Sequence, residues 1–149
     1  MEIRLLEEKD IPLLKDIFNE DGKVLNHEYV KNFLNTPNAY AFILEKANKI
    51  IGFSYCHGLV RPDGKKMFYL HDIGLLENER DKGMGTEMMR FIVNFAKNNG
   101  FSEVFLITDY NNPRACHVYE KVGFINEITD EVCYVYEFDN SVLDKSHKM

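Results

Sequence analysis

A mixed β-sheet with helices on its faces is the fold class this sequence predicts, and four observations carry it. Met67 to Leu76 reads as an aromatic-rich strand that runs through a polar loop into a helix. The helical spacing of Met84, Met88, Phe91, Ile92 and Phe95 lasts until Asn98-Asn99-Gly100. Val104 to Thr108 then forms a short apolar run, the pattern of a buried strand. Two strands joined through a helix in one sheet lie parallel with a right-handed crossover. Lastly, Asn112-Pro113 starts another helix, with Asn as N-cap and Pro in the first turn.

The elements follow in order. Glu2 to Glu7 alternates as a first strand, with Ile3 and Leu5 on one side. Asp10 is expected to cap a helix with Pro12 near its first turn and an apolar face of Leu13, Leu14, Ile17 and Phe18, broken at Asp21-Gly22. A short helix from Asn26 to Leu34 stops before Pro37. Tyr40 to Glu45 and Ile50 to Tyr55, the latter extending toward Val60, form a hairpin about Ala47-Asn48-Lys49. The turn Arg61-Pro62-Asp63-Gly64-Lys65 leads into the central strand. After Asn112-Pro113 the helix presents Ala115, Val118, Tyr119 and Val122 on one face and ends at Gly123. Phe124 to Ile128 and Val132 to Phe138 read as closing strands, which brings the sheet to about seven. Residues 139–149 are polar, without periodicity, and expected to fray.

Length favours a single domain over residues 1–149. No apolar run approaches the roughly 20 residues that span a bilayer, and M-E-I-R-L-L-E-E does not read as a signal peptide. Three cysteines, Cys56, Cys116 and Cys133, cannot all pair within one chain, so reduced thiols in a cytoplasm are expected. A net charge of −6 without a basic stripe argues against nucleic acid as a partner. The five histidines show no metal-ligand spacing, and no metal is expected.

The loop Arg80-Asp81-Lys82-Gly83-Met84-Gly85-Thr86 carries the first chemistry. The leading N–H groups of a helix lack intrahelical partners, and the dipole there is positive. Gly83 and Gly85 remove Cβ atoms that would keep an anion away, while Arg80 and Lys82 add positive charge. The pattern is that of a phosphate cradle. It is neither the dinucleotide fingerprint, whose third glycine would fall at Met88, nor a P-loop, since no Gly-Lys-Ser/Thr follows.

Arg80-x-x-Gly83-x-Gly85 after a strand resembles the acetyl-CoA loop of the GNAT N-acetyltransferases. Asn112-x-x-Ala115-x-x-x-Tyr119-x-Lys121-x-Gly123-Phe124 is similar to that superfamily's second hallmark. Within it, Tyr69-Leu70-His71-Asp72-Ile73 and Thr108-Asp109-Tyr110 resemble the type I aminoglycoside 3-N-acetyltransferases. The resemblance implies a GNAT fold, a mixed and mostly antiparallel sheet whose fourth and fifth strands splay apart. It also implies acetyl-CoA as cosubstrate and direct attack of an amine on the thioester.

Residue by residue, the resemblance implies that backbone N–H groups of Gly83, Met84, Gly85 and Thr86 hold the pyrophosphate, with Arg80, Asp81 and Lys82 completing the loop. Ile73 and Leu75 would pair with the pantetheine arm, Gly74 giving it room, and the Leu75 N–H would face the developing oxyanion. Tyr119 would be the general acid for the leaving thiolate, and Asn112, fully explained as a helix cap, a further cofactor contact. His71 and Asp72 are the candidate bases; as strand neighbours they point to opposite faces unless a bulge intervenes. Asp72, Asp109 and Tyr110 are the expected acceptor contacts. The expected acceptor is a primary amine of a small polycation such as an aminoglycoside. Alternatives are a polyamine, a metabolite amine, a protein N-terminus, or acetyl-CoA binding without catalysis. No membrane partner is expected, and a homodimer edge at Phe124 to Phe138 is the expectation by analogy.

Overall fold

The computed structural model describes residues 1–109, 111–127 and 131–138. Its sheet has five strands in the order β1-β2-β3-β4-β5: Glu2–Leu5, Ala39–Lys46, Lys49–Val60, Lys66–Leu75 and Glu103–Phe105. The first four pair antiparallel, and β5 lies parallel to β4. The helices are α1 (Lys15–Glu20), α2 (His27–Leu34), α3 (Met84–Asn98) and α4 (Pro113–Val122).

Each connection has a local cause. The β2–β3 hairpin turns on Ala47 and Asn48, both at positive φ (52° and 62°), so the two-residue turn matches the right-handed twist of its strands. Asn26 caps α2 by accepting the Tyr29 N–H at 3.1 Å. Asn112 caps α4 by accepting the Ala115 N–H at 3.2 Å, and Gly123 closes that helix at φ 115°.

Two apolar layers sandwich the sheet. On one face Met88, Met89 and Ile92 of α3 pack on Phe42, Leu44, Phe68 and Leu70. On the other, Ile11, Leu14, Ile17 and Val30 pack on Ala41 and Ile43. Adjacent residues of β2 thus serve opposite cores, as the two-residue period of a strand requires. No helix among the described residues is long and apolar enough to cross a membrane.

Three expectations are corrected. Among the described residues the sheet has five strands, not about seven: residues 124–127 and 131–138 join no ladder. The alternation at 132–138 resembles a strand, but a strand needs a partner edge. Tyr134, Tyr136 and Phe138 are instead exposed, Tyr134 at 91%. Second, Asp10 does not begin a helix. It lies within a 3-10 segment, Glu8–Leu14, because Arg4 and the Glu7 N–H claim its carboxylate at 2.7–2.9 Å. Third, β5 ends at Phe105, three residues before Thr108. The tail at 139–149, Tyr110, and positions 128–130 of the expected closing hairpin lie outside the described residues.

Candidate active site

The loop after β4 is shaped as a concave row of backbone donors. Asp81 (φ 63°) and Gly83 (φ 82°) both adopt the left-handed region, on either side of Lys82. Alternation of this kind turns successive N–H groups toward one side, as in an anion nest. Gly83 is the N-cap residue of α3 and supplies no capping side chain. The first intrahelical bond runs from the Glu87 N–H to the Gly83 carbonyl at 3.2 Å. The N–H groups of Met84, Gly85 and Thr86 therefore precede the helical ladder and are free to meet an anion.

Cations surround this row. Lys82 and Lys46 reach Glu79 at 3.5 and 3.2 Å, and Arg114 at the start of α4 reaches Asp81 at 3.5 Å. Arg80 stands exposed at the loop entry. Arg114 escaped the sequence reading because only the packing of α4 beside α3 brings it to the loop.

The strand beside the cradle opens. β5 pairs with β4 only at Met67, Phe68 and Tyr69, while β4 continues to Leu75. Leu76 donates its N–H to Ile51 on β3 at 2.9 Å, and the Asp72 carbonyl accepts from Ser54 on the same strand at 2.6 Å. Backbone groups alternate between the edges of a strand, so those of Ile73 and Leu75 turn toward the splayed edge. A Cβ at Gly74 would meet nothing within 4 Å.

A β-bulge decides which side chains reach the outer face. Tyr55 lies opposite Asp72 and Cys56 opposite Leu70, so His71 is a surplus residue in the ladder. Phe68 and Leu70 are buried in the α3 core, and Ile73 and Leu75 pack against it. His71 and Asp72 consequently share the opposite face, the exception to strict alternation that the sequence left open.

The two then diverge. His71 stacks on Tyr55 (5.0 Å between centroids) and meets His57, Nε2 to Nδ1, at 2.7 Å. Burial and the neighbouring His57 hold its pKa below the usual histidine range. His71 does not line the cavity beside the strand; Asp72 does. That cavity measures about 410 Å³ and is walled by α1, α2, β3 and the end of β4. Asp72 opens onto it yet is flanked by its walls, so burial, then the charge of Asp21, raises its carboxyl above the usual range. Lys23, at 3.1 Å from Asp21, partly opposes this.

Tyr119 is half-buried against the α3 core, its ring 6.1 Å from that of Phe124. Its phenol is raised by burial and by the charges of Asp72 and Cys116, and lowered by a hydrogen bond with Thr108. Its hydroxyl thus meets the chain beyond β5, and it stays protonated near neutral pH. Asp109 is placed otherwise: its Oδ1 accepts the Asn111 N–H at 2.8 Å in a local turn, and it does not line the cavity. The three cysteines are free, and burial pushes the Cys56 thiol up to about 12. No cluster of metal-ligating side chains occurs among the described residues.

Comparison with known proteins agrees with this geometry. Streptothricin acetyltransferase A of Bacillus subtilis (strain 168) is 35% identical over 103 residues, which cover 69% of this chain and 57% of that protein. Probable N-acetyltransferase san of Drosophila melanogaster is 32% identical over 102 residues, covering 66% and 55%. The chain thus spans little more than half the length of these relatives. Among solved structures, aminoglycoside acetyltransferase meta-AAC0020 from an uncultured soil metagenomic sample, in complex with sisomicin, superposes with a TM-score of 0.75. Its identity is 23%, with 92% of this chain and 95% of that chain covered, a likeness of fold. The profile of the Acetyltransferase (GNAT) family matches residues 11–124, from the first 3-10 segment through Phe124. The chain belongs to the GNAT acetyltransferase family.

Proposed function

We propose that the protein transfers the acetyl group of acetyl-CoA to a primary amine of a small acceptor. The observation that carries this reading is the opening of β4 from β5 after Tyr69, with the cradle beyond one end, Tyr119 beside it and the Asp72 cavity on the outer face. The residues present fit the cosubstrate. A row of unpaired N–H groups at Met84, Gly85 and Thr86 suits a pyrophosphate, and the free edge at Ile73 and Leu75 suits an amide-bearing arm. Acetyl-CoA, when bound, supplies the thioester carbon that the amine attacks.

The chain's own groups then have separate tasks. Asp72 attracts the acceptor ammonium and provides a carboxylate that can take its proton. The Leu75 N–H offers a fixed donor to charge developing on the carbonyl oxygen. Tyr119 holds a proton for the departing sulfur. Apolar walls keep water from competing with the amine.

The acceptor expected from the sequence was a polycation such as an aminoglycoside. The relative named for streptothricin and the carboxylate at Asp72 support a cationic acceptor. Thiol release from acetyl-CoA across aminoglycosides, spermidine, short peptides and simple amines tests the reaction. Saturable release that depends on an added amine supports it; acetyl-CoA binding without release for any amine of the panel refutes it.

A further inference from the structure

Resting on the acyl-transfer reading, the cavity's charge and walls define its acceptor more narrowly. Three carboxylates, Glu20, Asp21 and Asp72, line it against two cations, Lys23 and Arg80, which leaves one negative charge in excess. Glu20 accepts the Glu77 N–H at 2.8 Å, and Asp21 holds Lys23 at 3.1 Å. Asp72, across the ladder from Tyr55, has no cation within salt-bridge distance among the described residues and offers its charge to an incoming ammonium. The side chains of Lys23 and Arg80, which also line the space, would repel a second positive charge.

The remaining wall is apolar. Ile17, Phe18, Val30, Phe33, Ala41 and Phe53 face the space, with the Tyr55 ring beside Asp72's position on the ladder. The rings form a connected surface: Phe18 meets Phe53 at 5.4 Å, Phe53 meets Tyr55 at 6.2 Å, and Tyr55 meets Phe33 at 5.9 Å. A flat apolar body can add edge-to-face contacts to such a surface. A second ammonium would instead meet Lys23 or Arg80, or give up its water to the apolar wall. The volume of about 410 Å³ also sits near the lower end for ligand pockets.

We infer that the acceptor is a compact monoamine, with its single ammonium at Asp72 and an apolar, preferably aromatic, body among Phe33, Phe53 and Tyr55. This displaces the polycation expected from the sequence. The transfer balances simply. The ammonium gives one proton to Asp72, and the amine nitrogen bonds to the acetyl carbon. As the carbon–sulfur bond breaks, Tyr119 gives its proton to the sulfur and the nitrogen's second proton restores the phenol, so ammonium and thioester become amide, thiol and one proton held at Asp72.

The experiment compares 2-phenylethylamine, spermidine and kanamycin by thiol release from acetyl-CoA and by calorimetric binding to the wild-type protein. Phenylethylamine is expected to exceed both polycations at least tenfold in kcat/KM and in affinity. Tyr29→Glu is expected to narrow that margin by raising the excess negative charge of the wall from one to two. Tyr29 is 69% exposed and its N–H bonds the Asn26 cap, a position where Glu is well tolerated. Preference for spermidine or kanamycin, or no binding of phenylethylamine, would overturn the inference. Selective phenylethylamine binding without thiol release would leave the inference about the cavity standing and refute the acyl transfer instead.

Discussion

On the proposed mechanism, replacing Tyr119 by Phe removes the oxygen whose proton goes to the leaving sulfur. The structural cost is small. The hydroxyl's partner, Thr108, is exposed and can turn to water, so the loss is of one ordinary hydrogen bond, about 1 kcal/mol. In a chain of this size that lowers Tm by about 2–4 °C. The kinetic cost is of another order, since a positioned general acid contributes roughly 10²–10⁴-fold. At 1.36 kcal/mol per tenfold that is about 3–5 kcal/mol of barrier, several times the stability change. Because Tyr119 is raised, its loss of the proton belongs above the usual phenol range, and the wild type should show no alkaline limb from it near neutrality. The assay is steady-state thiol release with a saturating acceptor, alongside thermal unfolding. A fall in kcat with KM for the amine little changed is expected. A kcat within about fivefold of wild type would refute the role, because that is what loss of one packing hydrogen bond alone explains.

Other predictions follow from the same geometry. Asp72 is raised by burial, so the acid limb of kcat/KM should lie above the usual carboxylate range and vanish in Asp72→Asn, as a pH–rate profile would show. Gly83→Ala meets no atom within 4 Å but must hold φ 82°, which costs about 1–2 kcal/mol of stability. Calorimetry should also show acetyl-CoA bound at least tenfold more weakly, and unchanged affinity would count against the cradle. Asp10 is 3% exposed and held low by Arg4, so its contribution to stability is full above the unfolded carboxylate pKa. It is lost as pH falls through the lower folded value. Asp10→Ala removes two charge-assisted bonds but leaves Arg4 its partners Glu2, Glu7 and Glu45, so it should cost about 1.5–3 kcal/mol in urea unfolding at pH 7 and less at a pH below both values.

Local chemistry made the loop and the helices on either side of β5 legible. Gly83 and Gly85, the helical methionines after them and Asn112-Pro113 are signals within a few residues of the feature they specify. The bulge is different, because whether His71 is surplus depends on how Tyr55 and Cys56 pair across from it. Without that, the facing of Asp72 stays open. The cavity wall is likewise gathered from Phe18, Phe33 and Phe53, which share no local pattern. The alternation of Val132 to Phe138 misled for the converse reason: period two describes a chain that can pair, and no edge receives it among the described residues. The local turn in which Asp109 accepts the Asn111 N–H likewise depends on where the chain goes after β5.

The surplus residue in β4 also bears on how the strand tolerates changes of length. A strand without slack is re-phased by any deletion, so every residue beyond the cut would swap inside for outside. Here the ladder already counts Leu70 and Asp72 against consecutive partners, so His71 alone can be excised with both flanks left in phase. Deleting Tyr69 would offer no such refuge, since that residue occupies a paired rung with both His57 and Phe105. Length variation in this strand should therefore be permissible at one place, between the half that builds the core and the half that presents Asp72.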